Sequence, residues 1–167
     1  MTQITHDIDN RVSEKESVQK YLTFLLNDKT FAVSILKVKE ILEYCTVTPI
    51  PKMPDYVCGA INLRGKVVPV VDLTHCLNQE TSELTKRSCI VIIEMIQNNV
   101  TVKIGIIVDA VSKVLDFHAS DIERAPELGE NINTDFIEGM GKIGDQFVVM
   151  LNVDKIISME EFDQFTK

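Results

Sequence analysis

Tryptophan is absent from this 167-residue chain, and aromatic residues make up only 6% of it. A cleft that grips sugars or bases by stacking needs such rings, so their scarcity argues against that class of site. Basic residues are also short, 17 against 25 acids, for a net charge of −8. Phosphate must be met by clustered Lys and Arg, so a pI near 4.9 argues against a nucleic-acid binder. No apolar run approaches the roughly 18 residues a membrane span requires. The first twenty residues lack the apolar core of an export signal. The expectation is a cytoplasmic protein.

Catalytic signatures are missing as well. There is no G-x-S-x-G, no H-E-x-x-H, no phosphate-binding loop, no G-x-G-x-x-G and no calcium loop. The cysteines, Cys45, Cys58, Cys76 and Cys89, form no C-x-x-C and no zinc-type pair with a histidine. They read as reduced, mostly buried thiols. A thiol nucleophile needs a partner base, and His6, His75 and His118 each stand without a motif. The sequence therefore predicts no catalytic residue, no metal site and no cofactor.

What is present is β-structure with regular punctuation. Residues 1–20 read as a flexible tail. Tyr21–Leu26 is an apolar β-rich run, Asn27-Asp28-Lys29 a turn, and Phe31–Ile35 the return strand. Val38, Ile41 and Leu42 alternate with charges in a pattern that suits either a short helix or a half-exposed strand. Pro49, Pro51 and Pro54 exclude regular structure from Thr48 to Asp55. Ala60–Leu63, the Arg64-Gly65 turn and Val67–Val71 make a second hairpin, whose Pro69 predicts an edge position or a bulge. Cys89–Ile93, apolar on both faces, predicts a central strand. Asp116–Glu138 carries seven acids against Arg124 alone and reads as a solvated loop. A last hairpin turns at Gly144-Asp145. The segment 153–167 reads as helical, with S-M-E-E from Ser158 to Glu161 as a capping box.

The two halves echo each other. Tyr21–Glu43 and Cys89–Asp116 both give strand, polar turn, strand and an apolar triplet, so that Val111, Val114 and Leu115 repeat Val38, Ile41 and Leu42. Tyr56-Val57-Cys58-Gly59 parallels Phe136-Ile137-Glu138-Gly139, and each motif precedes a turn glycine and an apolar strand. Each half supplies about five short strands, too few to bury both faces alone. The fold expected is mainly β: two curled sheets of lobes near 21–88 and 89–152, packed together, with the C-terminal helical segment sealing one end. Gly59, Gly65, Gly139 and Gly144 are expected to serve turn conformation.

The stretch P-I-P-K-M-P-D-Y-V-C-G-A-I-N-L-R-G-K-V-V-P-V-V-D-L, Pro49–Leu73, resembles the signature of the CheW family of bacterial chemotaxis coupling proteins. F-A-V-S-I-L-K-V-K-E-I-L (Phe31–Leu42), G-I-I-V-D-A-V-S-K-V-L (Gly105–Leu115) and N-V-D-K-I-I (Asn152–Ile157) are similar to it too. The resemblance runs from about Lys20 to the C-terminus. It is shared with the CheW-like domains of the kinase CheA and of CheV. It implies two intertwined SH3-like five-stranded barrels around a shared core and no catalysis. It implies a scaffold bridging the cytoplasmic tips of chemoreceptors and the regulatory domain of CheA, recruited to membrane-associated arrays. By matching positions, Val38, Glu40, Ile41, Arg64 and Val114 would line or flank the receptor groove, with Glu40 the natural internal partner of Arg64. The region Tyr44–Met53, with Tyr44, Val47, Ile50 and Met53, would face the kinase.

Overall fold

The computed structural model describes residues 18–53, 55–76, 84–97, 99–123 and 137–156. The readings for residues 1–17, for the middle of the acidic stretch (124–136) and for the Ser158–Glu161 box lie outside them. The described ends of that stretch, Asp116–Glu138, expected as a loop, are instead strand at 116–118, 122–123 and 137–138, because each pairs with a neighbouring strand. The first half forms β1 (Val18–Leu26), β2 (Lys29–Ser34), β3 (Val38–Glu43), β4 (Val57–Leu63), β5 (Lys66–Asp72) and the short helix α1 (Leu73–Cys76). The second half forms β6 (Cys89–Gln97), β7 (Val100–Val108), β8 (Ala110–His118), β9 (Ile122–Glu123), β10 (Ile137–Ile143), β11 (Gln146–Leu151) and α2 (Val153–Ile156). Residues 18–20, expected in the tail, belong to β1, where Val18 pairs with His118. The ambiguous stretch around Ile41 is a strand, because β6 is available to pair with it along its length.

The strands assemble into two sheets, ordered β8-β1-β2-β11-β10-β9 and β3-β6-β7-β5-β4. Neither sheet is one half of the sequence. The β1–β2 hairpin of the first half sits among strands of the second, and the β6–β7 hairpin returns the exchange. Once each strand is matched to its repeat, the two orders become the same. The registers agree as well: Val71 faces Val57 and Leu151 faces Ile137, each ladder with a bulge before the glycine, Gly59 or Gly139. Ile41 faces Val91 on β6, and its repeat, Val114, faces Leu22 on β1.

The exchange follows from the hydrophobic pattern. The β6 side chains Val91, Ile93 and Met95 point into a central cluster between the sheets, whereas Ile90 and Ile92 point into a second cluster with Val68 and Val70. On β1, Leu22, Phe24 and Leu26 join the central cluster, and Tyr21 joins a third with Ala32, Phe117 and Met150. A strand apolar on both faces must lie between two cores. Each curled sheet thus encloses a small core and shares the large central one.

Each sheet also closes on itself. After β3 the chain crosses to the far edge, where Thr48 bridges Ala60 on β4. At the matching place β9 pairs Glu123 with Met140 on β10. The close approach explains two glycines. Gly65 and Gly144 occupy hairpin turns, but Gly59 and Gly139 lie within β4 and β10, not in turns as expected. A Cβ on Gly59, at φ 148°, would stand 2.1 Å from the Thr48 carbonyl oxygen. Pro69 is a further departure, since β5 lies inside its sheet. It pairs with β7 only over Val70–Asp72, so at Pro69 that flank has no ladder to lose.

Two outcomes follow for stability. Gly59→Ala forces a methyl onto backbone and is expected to cost about 3 kcal/mol or more, read as a lower denaturant midpoint. The Tyr21 hydroxyl lies 3.0 Å from Gln19 Oε1 and 3.1 Å from Glu138 Oε1, and can donate to one at a time. Burial, then the Glu138 charge and hydrogen bond, push Tyr21 from 10.0 up to about 12. The folded state therefore holds this proton more tightly than the unfolded chain. Its stabilising contribution is complete below pH 10 and is lost as pH rises toward 12. Equilibrium unfolding across that range should show the decline, and Tyr21→Phe should flatten it.

Candidate functional site

The β4–β5 hairpin turns in two residues, and both have positive φ, 52° at Arg64 and 83° at Gly65. That mirror-image turn suits the strand twist but is unfavourable for an arginine. Asn62 holds it by accepting the Gly65 N–H at 2.8 Å. Arg64 is thereby presented at the tip, its side chain 72% exposed. It reaches β3 on the opposite edge of the same sheet, where Nη1 donates to Glu40 Oε2 at 2.9 Å and Nη2 to Oε1 at 2.6 Å. The fork is bidentate and spans the two edges of the curled sheet. Its hydrogen bonds hold the Glu40 carboxyl below the usual range, with the Lys103 charge a smaller contribution, and push Arg64 up. Lys39 Nζ adds a looser contact to Glu94 Oε1 at 3.6 Å, and Glu94 stands opposite Lys103 on β7. Charges from β3, β6, β7 and the turn thus tile one side of this barrel.

The structure joins Arg64 to Glu40 and distributes the three aliphatic residues. Val38 packs on the central cluster. Glu40 faces Ile92 and Ile41 faces Val91, so those neighbours point to opposite sides of β3. Ile41 is 45% exposed, and Val114, at the matching point of β8 in the other sheet, is 46% exposed. The pair is thus a repeat of one position, and the same side of each sheet carries both. Sequence reading missed Leu36, which is 85% exposed on the turn Ile35–Lys37 that leads into β3. Its apolar neighbours Ile35 and Val38 are packed, and nothing in the S-I-L-K string separates the outward residue from the inward ones.

The second candidate region divides. Tyr44 and Val47 pack against the small core of the β3–β4 barrel and wall a hollow of about 310 Å³ with Cys58 and Ile107. Ile50 and Met53 are half-buried farther along and do not line it. Burial, with the nearby Asp72 charge second, pushes the Cys58 thiol up to about 11, which leaves it protonated at neutral pH. The expectation of mostly buried thiols needs correction. Cys45 is exposed because it lies past the end of β3, and Cys58 and Cys89 are intermediate.

Residues 20–161 match the family model for the CheW-like domain. The chain is 34% identical over 143 residues to the chemotaxis protein CheW of Klebsiella aerogenes, covering 86% of this chain and 84% of that protein. It is 34% identical over 149 residues to the chemotaxis protein CheW of Bacillus subtilis, covering 89% and 92%. The scaffolding protein TtCheW from Thermoanaerobacter tengcongensis superposes with a TM-score of 0.76 at 31% identity, over 86% of this chain and 90% of that one. The exchanged hairpins, the repeated strand order and the N-L-R-G turn therefore stand in a known lineage, and the chain belongs to the CheW family.

Proposed function

We propose that this protein is a non-catalytic adaptor that couples the cytoplasmic tips of methyl-accepting chemoreceptors to the histidine kinase CheA, so that receptors control kinase autophosphorylation. The observation that carries the reading is the bidentate Arg64–Glu40 pair, displayed on a strained turn, with the half-exposed aliphatic side chains of Ile41 and Val114 at one repeated position of the two sheets. A helix docks into a groove through aliphatic knobs and an orienting charge. Val38, Ile41 and Val114 supply the first, and Arg64, set by Glu40, the second. The planar guanidinium suits a carboxylate on the receptor helix. Tyr44, Val47, Ile50 and Met53 form the kinase-facing side. The adaptor works in the cytoplasm, recruited to membrane-associated arrays. No helix among the described residues is long and apolar enough to cross a membrane. It is a monomer in isolation, each contact is weak, on the order of micromolar, and array strength comes from linking several contacts.

The test is co-sedimentation of the full chain with receptor signalling-tip bundles and with the CheA regulatory domain at low salt. Binding to both supports the adaptor. Failure of the folded protein to bind either removes it. In reconstituted arrays, Arg64→Ala is expected to weaken receptor control of kinase activity several-fold while the unfolding midpoint stays nearly unchanged, because an exposed pair adds little to folding. Undiminished control would take Arg64 out of the receptor site.

A further inference from the structure

The internal repeat places two hollows at matching points of the fold. The first, about 310 Å³, is walled by Tyr44, Val47, Cys58 and Ile107, with Asp72 and Asp109 at its polar side. The second, about 170 Å³, lies beside α2 and includes Ser34, Lys37, Glu138, Asn152 and Asp154. Strand registers match them residue to residue. Val71 corresponds to Leu151, so Cys58, Asp72 and Thr74 correspond to Glu138, Asn152 and Asp154. The parallel pairs β5–β7 and β11–β2 likewise match Ile107 to Ser34, and onward along the chain Ala110 to Lys37.

The twins differ in one respect that bears on binding. The second hollow carries its own cation: Lys37 Nζ lies 2.9 Å from Asp154 Oδ2. Among the described residues that line the first there is no lysine or arginine, and Ala110, the register match of Lys37, is 4% exposed and lies on an adjoining hollow instead. Asp72 accepts from the backbone N–H and hydroxyl of Thr74, and Asp109 accepts the Asn27 N–H at 2.8 Å. Neither takes part in any of the ion pairs among the described residues. Lys86 and Arg87 border an adjoining hollow that shares Asp109, without pairing to it. The first hollow is also the larger and the more apolar in its walls, within the size range of ligand pockets.

We infer that this hollow receives a partner polypeptide presenting a bulky apolar side chain next to a lysine or arginine. The apolar group enters between Tyr44, Val47 and Ile107, and the cation meets Asp109 and Asp72. A large side chain in a desolvated pocket, flanked by a complementary charge, is the usual anchor of an interface. Residues 77–83, which follow Thr74–Cys76 in the chain, carry Glu80 and Glu83 and no lysine or arginine. The inference rests on the adaptor reading only for the identity of the partner.

Methyl NMR on the full-length protein tests it, with the acetylated peptides Gly-Leu-Lys-Gly and Gly-Leu-Glu-Gly as probes. The expected result is saturable shifts of the Val47 and Ile107 methyls, with the lysine peptide bound roughly fivefold more tightly, the scale of an exposed charge pair. Asp109→Asn should remove that preference and keep the fold, since its amide oxygen still accepts from Asn27. Val47→Trp should fill the hollow and abolish the shifts. Equal binding of both peptides, no shift, a preference that survives Asp109→Asn, or contacts from Leu77 to these methyls in the free protein would overturn the proposal. If the peptides fail while receptor and kinase co-sediment normally, the hollow falls and the adaptor stands. If co-sedimentation fails while the peptides bind, the reverse holds.

Discussion

Everything in this fold depends on strands that are apolar on both sides. Val91 and Ile92, or Tyr21 and Leu22, point in opposite directions and are all buried. No single small sheet can cover both faces of its own central strands. Two sheets can, if each lends its most apolar hairpin to the other, so that the large cluster lies between them and a smaller one inside each. The cost is that neither half of the sequence carries a complete sheet, and each barrel needs residues from both halves.

The frame is repeated but its chemistry is not. Arg64 and Glu40 clamp one barrel; the corresponding residues of the other are Gly144 and Lys113, which cannot form such a pair. Lys37 lines one hollow and pairs with Asp154, whereas no lysine or arginine is among the described residues that line the other. With the same residues at both places, the two barrels would look alike to a partner. These few exchanges of charge make them distinguishable at no cost to the shared core, because all of them lie at turns, edges and rims.

Arg64 illustrates how such a surface is held. Its backbone occupies a region unfavourable for a side chain with a Cβ, a cost of order 1 kcal/mol or more. The exposed ion pair to Glu40 offsets little of it. The strain is carried by the hairpin, whose strands Val57–Leu63 and Lys66–Asp72 pair over their length, and by Asn62 at the turn. A rigid ladder positions a mobile type of side chain, which is how a weak surface contact gains direction.

Much of this was legible in the chain. The hairpins, turn residues, the central character of Cys89–Ile93 and the internal repeat follow from period-two patterning and from Asn, Asp and Gly at the turns, because these are local effects that act within a few residues. The N-L-R-G string pointed to Arg64, and Glu40 was its plausible partner. Other features depended on distant strands. Val38–Leu42 became a strand only because β6 lies beside it, and Pro69 fits an interior strand only because its ladder with β7 begins one residue later. Likewise Gly59 is needed because Thr48 crosses over it, and Leu36 points outward because its neighbours are drawn into the central cluster. Patterning along one chain determines which residues must be buried; which strand buries them, and what then faces Asp72 or Ala110, is decided by long-range pairing that no local signal encodes.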